Sequence, residues 1–285
     1  MGPLPTWIDQ LSSLLNIDLS FNFLTGMLPP ALGNLQDLEG LAIDNNLFTG
    51  TLDFVFDSTV VPGLRNLQQF FCENNQFSGG LSSNFMLKMT NLAYLDVSDN
   101  KIEGPVPSHL FELSNLLVLD LHDNNFTSLP STFPVNDNLW LLALQKCDFA
   151  NIEVPSTISN LKNLTHLDLS QNRFTGEIPS TLKELAPKLN SLFLAQNKFS
   201  PGKIPEWLQK MTMLTELDLK STQRTGTIPA FIGNLSQLVL LDLDNNKLTA
   251  QIPSELGNLA SLIYLLLNRN ELTGTIPPLG SSVGK

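Results

Sequence analysis

The chain has 285 residues and a formal net charge of −11 at pH 7, from 27 Asp and Glu against 16 Lys and Arg. That balance argues against a nucleic-acid partner, because a phosphate backbone needs a basic surface. No apolar run approaches the roughly 18–20 residues of a membrane-spanning helix, and two cysteines say little about redox compartment.

From its first residues the chain repeats itself. Gly2-Pro3-Leu4-Pro5 is followed by a pattern of 24–25 residues, L-x-x-L-x-L-x-x-N-x-[LF]-x-G-x-[IVL]-P. Its Asn recurs at Asn22, Asn46, Asn75, Asn100, Asn124, Asn172, Asn197, Asn246 and Asn270, and Cys147 and Thr222 fill the same slot twice more. Self-similarity at a fixed short period predicts a solenoid. In Leu164-Thr165-His166-Leu167-Asp168-Leu169, alternation turns Leu167 and Leu169 inward and Asp168 outward, so each repeat yields one short strand. After the strand the backbone turns inside the protein, and a buried Asn amide can satisfy its polar groups. The Gly-x-apolar-Pro that follows, as in Gly176–Pro179 and Gly226–Pro229, bends the chain at Gly and fixes φ at Pro. Segments such as Pro253-Ser254-Glu255-Leu256-Gly257 then read as short helical turns. Two repeats break the period. Asn46 to Asn75 spans 29 residues, with an insertion running from Asp53 to Pro62 that is expected to bury its own Phe residues or to serve as a binding loop. Asn124 to Cys147 is short, and Ser128-Leu129-Pro130 lacks the usual Gly.

The segments Phe174-Thr175-Gly176-Glu177-Ile178-Pro179 and Leu272-Thr273-Gly274-Thr275-Ile276-Pro277 resemble the plant-type extracellular leucine-rich repeats of receptor-like kinases, receptor-like proteins and polygalacturonase-inhibiting proteins. The resemblance runs over essentially the whole chain. It implies an α/β repeat fold, a right-handed leucine-rich-repeat solenoid (horseshoe) with a parallel β-sheet on the concave face and short 3-10 or helical turns on the convex face. Residues 1–285 are expected to form a single domain of about eleven repeats of 23–29 residues, without recognisable terminal caps. The chain is therefore expected to be a fragment, or a subunit whose ends are covered by other material. The function implied is non-catalytic protein or peptide binding at an extracellular or cell-surface location. The alternatives are a secreted enzyme inhibitor and a structural subunit of a larger assembly. Three glycosylation sequons, at Asn125, Asn163 and Asn234, agree with the cell exterior.

Nearly all the net charge falls on the expected concave face. Asp18, Asp96, Asp120, Asp168, Asp218 and Asp242 form one column between the inward strand residues, while only Lys146, Lys220 and Arg269 supply bases. Apolar residues interrupt the acids: Phe71, Tyr94 and Phe193, with Leu117, Val118, Trp140 and Leu141 on adjacent repeats and Val239, Leu240, Ile263, Tyr264 and Leu266 likewise. Apolar clusters rimmed by charge mark interfaces. The candidate partner-binding residues are Asp96, Asp120, Trp140, Asp168, Phe193, Asp218 and Tyr264, and the partner they suit is a protein or peptide with a basic, partly apolar surface.

Catalytic chemistry is not indicated. The three histidines lack a matched nucleophile, and no phosphate loop, dinucleotide fingerprint or zinc spacing occurs. The strand carboxylates are expected to lie open to solvent, without the burial that raises a pKa. No cofactor and no metal is expected. Cys72 and Cys147 lie three repeats apart, about 14 Å at strand spacing, too far to bridge. A row of hydroxyls from Thr25 to Thr273 raises ice binding as a remote alternative.

Overall fold

The computed structural model describes residues 2–52, 64–81 and 89–278. The chain divides into two compact units, residues 1–149 and 150–285. The insertion from Asp53 to Pro62 lies outside the described residues.

In the first unit the repeats contribute parallel strands at Asn16–Asp18, Gly40–Ala42, Gln69–Phe71, Tyr94–Asp96, Val118–Asp120 and Leu141–Ala143. Their register aligns Ile17, Leu41, Phe70, Leu95, Leu119 and Leu142 in one inward column, each at most 8% exposed. The second unit repeats the plan with His166–Asp168, Ser191–Phe193, Glu216–Asp218, Leu240–Asp242 and Tyr264–Leu266. There the inward column is Leu167, Leu192, Leu217, Leu241 and Leu265. The return path is short 3-10 helix rather than α-helix, as at Ser108–Glu112 and Ser180–Leu185. Among the described residues, seven of these turns begin after a proline, including Pro29, Pro107 and Pro179, whose φ values of −72°, −66° and −61° suit the entry to a tight helix. Each unit is thus a leucine-rich-repeat solenoid, a main parallel sheet linked by 3-10 turns.

The core between sheet and turns is apolar and carries a spine of phenylalanines. Phe48, Phe77, Phe126 and Phe149 in the first unit, and Phe174 and Phe199 in the second, are fully buried. The Phe48 and Phe77 rings stack at 6.2 Å between centroids. Beside the spine runs the Asn ladder. Asn46 donates to the carbonyls of Leu19, Ile43 and Asp44, and its own oxygen accepts from the N–H of Leu24. One side chain therefore satisfies backbone groups in two successive turns. Asn197 repeats the arrangement, and Asn172 donates to the carbonyls of Leu169 and Ser170. Thr222 substitutes with one bond from its hydroxyl to the Leu219 carbonyl, at 2.6 Å. The Cys147 thiol points at the carbonyls of Leu121 and Gln145. Cys72 fills an inward strand slot, and Cys72 and Cys147 are not bridged to each other.

One feature of the repeat has no simple sequence signal. The residue just before the ladder position is left-handed in every repeat: Phe21, Asn45, Asn74, Asp99, Asp123, Lys146, Gln171, Gln196, Ser221, Asn245 and Arg269 have φ between 49° and 54°. Asn and Asp adopt this region most readily, and the slot also holds Phe, Lys, Gln and Arg. Repeated packing therefore sets the backbone here and overrides side-chain preference.

Candidate functional site

The outward side of the main strands carries the candidate binding residues. In the first unit, Tyr94, Val118 and Leu141 share one register column and Phe71, Asp96 and Asp120 the next. The two columns place an apolar stripe directly beside an acidic one. Trp140 flanks the stripe, its N–H bonded to the Leu117 carbonyl and its side chain partly exposed, at 39%. In the second unit, Asp168, Phe193, Asp218, Asp242 and Leu266 form one column and His166, Ser191, Glu216, Leu240 and Tyr264 its neighbour. Phe193 is half-buried and lies 5.3 Å from the His166 ring. Tyr264 and Ile263 are well exposed, at 56% and 69%. Asp96 and Asp120 are thus neighbours in the first unit, with Trp140 just before the next strand and level with Leu117 rather than Asp120. Asp168, Phe193 and Asp218 are neighbours in the second, with Tyr264 two strands beyond Asp218.

Of the aspartate column, Asp18 is exposed, while Asp96, Asp120, Asp168, Asp218 and Asp242 are half-buried or buried, against the open face their spacing suggests. Neighbouring strands stand close enough to desolvate one another's side chains. Burial, aided by Asp96, raises Glu73 to about 7. Burial raises Asp218 to about 6, with Asp242 and Asp168 adding repulsion and the Lys220 N–H opposing it. Asp96 and Asp242 are raised as well, mainly by burial. Asp244 is 3% exposed, and one of its oxygens meets the Lys220 ammonium at 3.1 Å while the other has no partner. The buried oxygen of Glu73 is also unpaired. A row of strand carboxylates therefore does not ionise as a row of isolated groups.

His122 was not among the sequence-level candidates. Its Nδ1 lies 2.6 Å from Asp120 and its Nε2 3.3 Å from Asp99. These contacts, led by the Asp120 bond, raise the imidazole to about 9, so it is cationic at neutral pH. The signal was present in Leu119-Asp120-Leu121-His122, since residues two apart on a strand share a face. Asp99, His122 and Asp123 each bring one ligand atom within 4.8 Å of the others. Asp99 and His122 are paired with each other, and Asp123 holds Lys146 at 2.6 Å. The group reads as an ion-pair network. Of the hydroxyl row, Thr175 donates to the Ile152 carbonyl, a bond that serves the solenoid. No helix among the described residues is long and apolar enough to cross a membrane.

The geometry defines a leucine-rich-repeat domain of the plant type. The leucine-rich-repeat family model matches residues 13–35, 91–113, 115–135, 163–185, 213–235 and 237–259. More particularly, the chain resembles the ectodomains of plant receptor-like proteins and receptor kinases. It is 40% identical to Receptor-like protein 35 of Arabidopsis thaliana over 206 residues, which are 71% of this chain and 19% of that protein. The structure of a TDR receptor superposes with a TM-score of 0.89 at 31% identity, over 98% of this chain and 47% of that one. The plant peptide hormone receptor RGFR1 in complex with RGF2 gives 0.76 at 29% identity, over 97% and 47%. The chain spans less than half the length of these relatives.

Proposed function

We propose that this chain binds a peptide or protein segment on the outward face of its main strands, as part of a receptor-like ectodomain outside the cell. The observation that carries the reading is the side-by-side register of an apolar column, Tyr94–Val118–Leu141, and an acidic one, Asp96–Asp120. An extended basic peptide laid across it gains burial from one column and charge complementarity from the other. A related pairing recurs around Phe193, between Asp168 and Asp218. RGFR1, solved in complex with RGF2, is described as a peptide hormone receptor, which supports a peptide as the class of partner. Buried acids with raised pKa values favour a cation too, because each gains a counter-charge on binding.

The test uses three synthetic peptides of equal length, one basic and apolar, one acidic and apolar, one uncharged, titrated into the chain by fluorescence anisotropy. The basic peptide is expected to bind tightest, with Trp140→Ala speeding its release and Asp120→Asn slowing its capture. Equal binding of all three peptides, or indifference to both substitutions, overturns the reading.

A further inference from the structure

Away from the strand face, two departures from the repeat meet at one place in the second unit. The first is Arg224. Its slot, two residues after the ladder position, holds Phe174 and Phe199 in the preceding repeats and Leu248 in the next. Arg224 occupies this core position at 4% exposure. Thr222, in the ladder slot beside it, serves the Leu219 carbonyl with its hydroxyl. The guanidinium is held by other carbonyls: Nε and Nη2 donate to the Thr222 carbonyl at 2.9 and 2.7 Å, and Nη2 and Nη1 to the carbonyls of Ser200 and Lys203. That accounts for its hydrogen bonds, and the Glu177 charge acts on it without forming an ion pair. Among the described residues, no carboxylate forms an ion pair with it. A guanidinium carries five N–H donors, so one on Nη1 is still unused.

The second departure is Pro201. Phe199-Ser200-Pro201-Gly202-Lys203-Ile204-Pro205 carries one residue more than Phe174-Thr175-Gly176-Glu177-Ile178-Pro179. Gly176 and Gly226 have φ of 72° and 76°, and Gly202 is not left-handed. Pro201 also lacks the N–H that a ladder needs. The strands Arg173–Thr175 and Gly202–Lys203 accordingly fall in separate sheets, and the gap opens a pocket of about 330 Å³. Arg224, Lys203, Trp207, Ser180 and Glu177 are among its lining residues. Trp207 is half-buried, and Lys203 and Glu177 are exposed. The volume is at the low end for small-ligand pockets, enough for about one sugar ring.

We propose that this pocket is an anion site for a small ring-bearing molecule with one carboxylate or oxyanion group, the charged group on Arg224 and Lys203 and the ring against Trp207. Burial holds the guanidinium below its ordinary value, and the Glu177 charge offsets part of that. A bound anion would supply the counter-charge at closer range. Unpaired buried charge is costly, and a pocket that admits an anion to it relieves the cost.

The test follows the indole N–H resonance of Trp207, assigned with Trp207→Phe, while the full chain is titrated with three probes. Sodium glucuronate supplies ring and charge, sodium sulfate charge alone, and glucose ring alone. Glucuronate is expected to shift the resonance at the lowest concentration, sulfate at a higher one, and glucose not at all. Arg224→Leu restores a residue the neighbouring repeat uses, so it is expected to fold. It is expected to weaken glucuronate by at least about tenfold, the factor for one charge-assisted hydrogen bond. Glu177→Gln removes an acid from the lining and is expected to tighten it. If Arg224→Leu melts early, Lys203→Ala serves in its place with the same expected direction. No response to either anion, an unchanged response in the variants, or glucose matching glucuronate overturns the site. Sulfate binding as tightly as glucuronate overturns the ring-bearing ligand.

Discussion

The Nδ1 of His122 lies 2.6 Å from an oxygen of Asp120, which also accepts the His122 backbone N–H at 3.1 Å. The two residues are locked as a pair on one strand face, with Asp99 on the other ring nitrogen. The pair ties stability to pH. The folded imidazole is raised from 6.5 to about 9, so the stabilisation is complete below pH 6.5 and lost as pH rises through about 9. His122→Ala is expected to cost roughly 1–2 kcal/mol at pH 6, after allowance for solvent screening, and much less at pH 10. Urea melts at the two values check it, and a ring titration near 6.5 by NMR refutes the pairing.

Glu73 works with the same sign from a different cause. Its carboxyl is raised from 4.5 to about 7, chiefly by burial. Below pH 4.5 both folded and unfolded forms are protonated and nothing is gained or lost. Between pH 4.5 and 7 the folded form holds the proton more tightly, so stability falls as pH rises. Glu73→Gln keeps the shape and removes the titration. It is expected to stabilise the chain by about 1 kcal/mol at pH 8 and to change nothing at pH 4, with the gain discounted for partial exposure. A gain that is equal at both pH values would point to packing rather than charge.

Much of this was legible in the chain because the repeat states it many times. The period locates Asn172 on the ladder, Leu167 in the core and Asp168 on the face, and the structure agrees at each. Trp140 and Tyr264 are exposed, as their register predicts. What the pattern hides is distance across strands. Acids such as Asp96, Asp218 and Asp242 read as solvated charge, because a sequence shows alternation within a strand and not the neighbour that desolvates it. His122 was passed over for the same reason, since its Asp99 partner comes from the preceding repeat. The left-handed residue before each Asn was invisible too, because residues as different as Phe21 and Gln196 occupy it. Arg224 was missed because a pattern of similarities draws the eye away from the slot that breaks it.

The ladder itself can be tested at Asn172, which is 6% exposed and donates to the Leu169 and Ser170 carbonyls at 3.2 and 3.0 Å. Asn172→Ala removes the amide from the Leu169 and Ser170 carbonyls, of which Leu169 keeps the Asn197 donor. The expected loss is roughly 1–3 kcal/mol by chemical denaturation. Asn172→Thr is expected to recover part of it, since Thr222 fills the slot elsewhere. A loss under about 0.5 kcal/mol would contradict the ladder as a source of stability.

Ala250 sits where other repeats place a left-handed glycine, with φ of 63° against 76° at Gly226 and 83° at Gly274. An L-residue pays about 1–2 kcal/mol for that region, whereas glycine pays about 1 kcal/mol in chain entropy. Ala250→Gly is therefore expected to be neutral or to stabilise by up to about 1 kcal/mol. In ordinary strand positions the same change destabilises. Thermal melts decide it, and a clear destabilisation would mean that the backbone here relaxes to suit alanine.

Affinity for a basic peptide should carry the imprint of the buried acids. Asp218, at about 6, and Glu73, at about 7, are neutral at pH 5 and ionised at pH 8. Neutral carboxyls do not attract a cation, so the basic peptide is expected to bind more weakly at pH 5, and the acidic control to show no such loss. Each acid that ionises beside a bound cation is worth up to about fivefold, the effect of one partly screened pair. The two acids lie in different units, which lets substitution assign the effect. If Asp218→Asn flattens the pH dependence, the peptide lies across Phe193; if Glu73→Gln flattens it, the peptide lies beside Asp96 and Phe71. Asn at position 218 can still accept the Lys220 N–H, as Asp218 does at 2.9 Å, so the local turn is kept. Tighter binding at pH 5 than at pH 8 would rule out a cation over these carboxylates, and with it the strand face as the place where a basic partner docks.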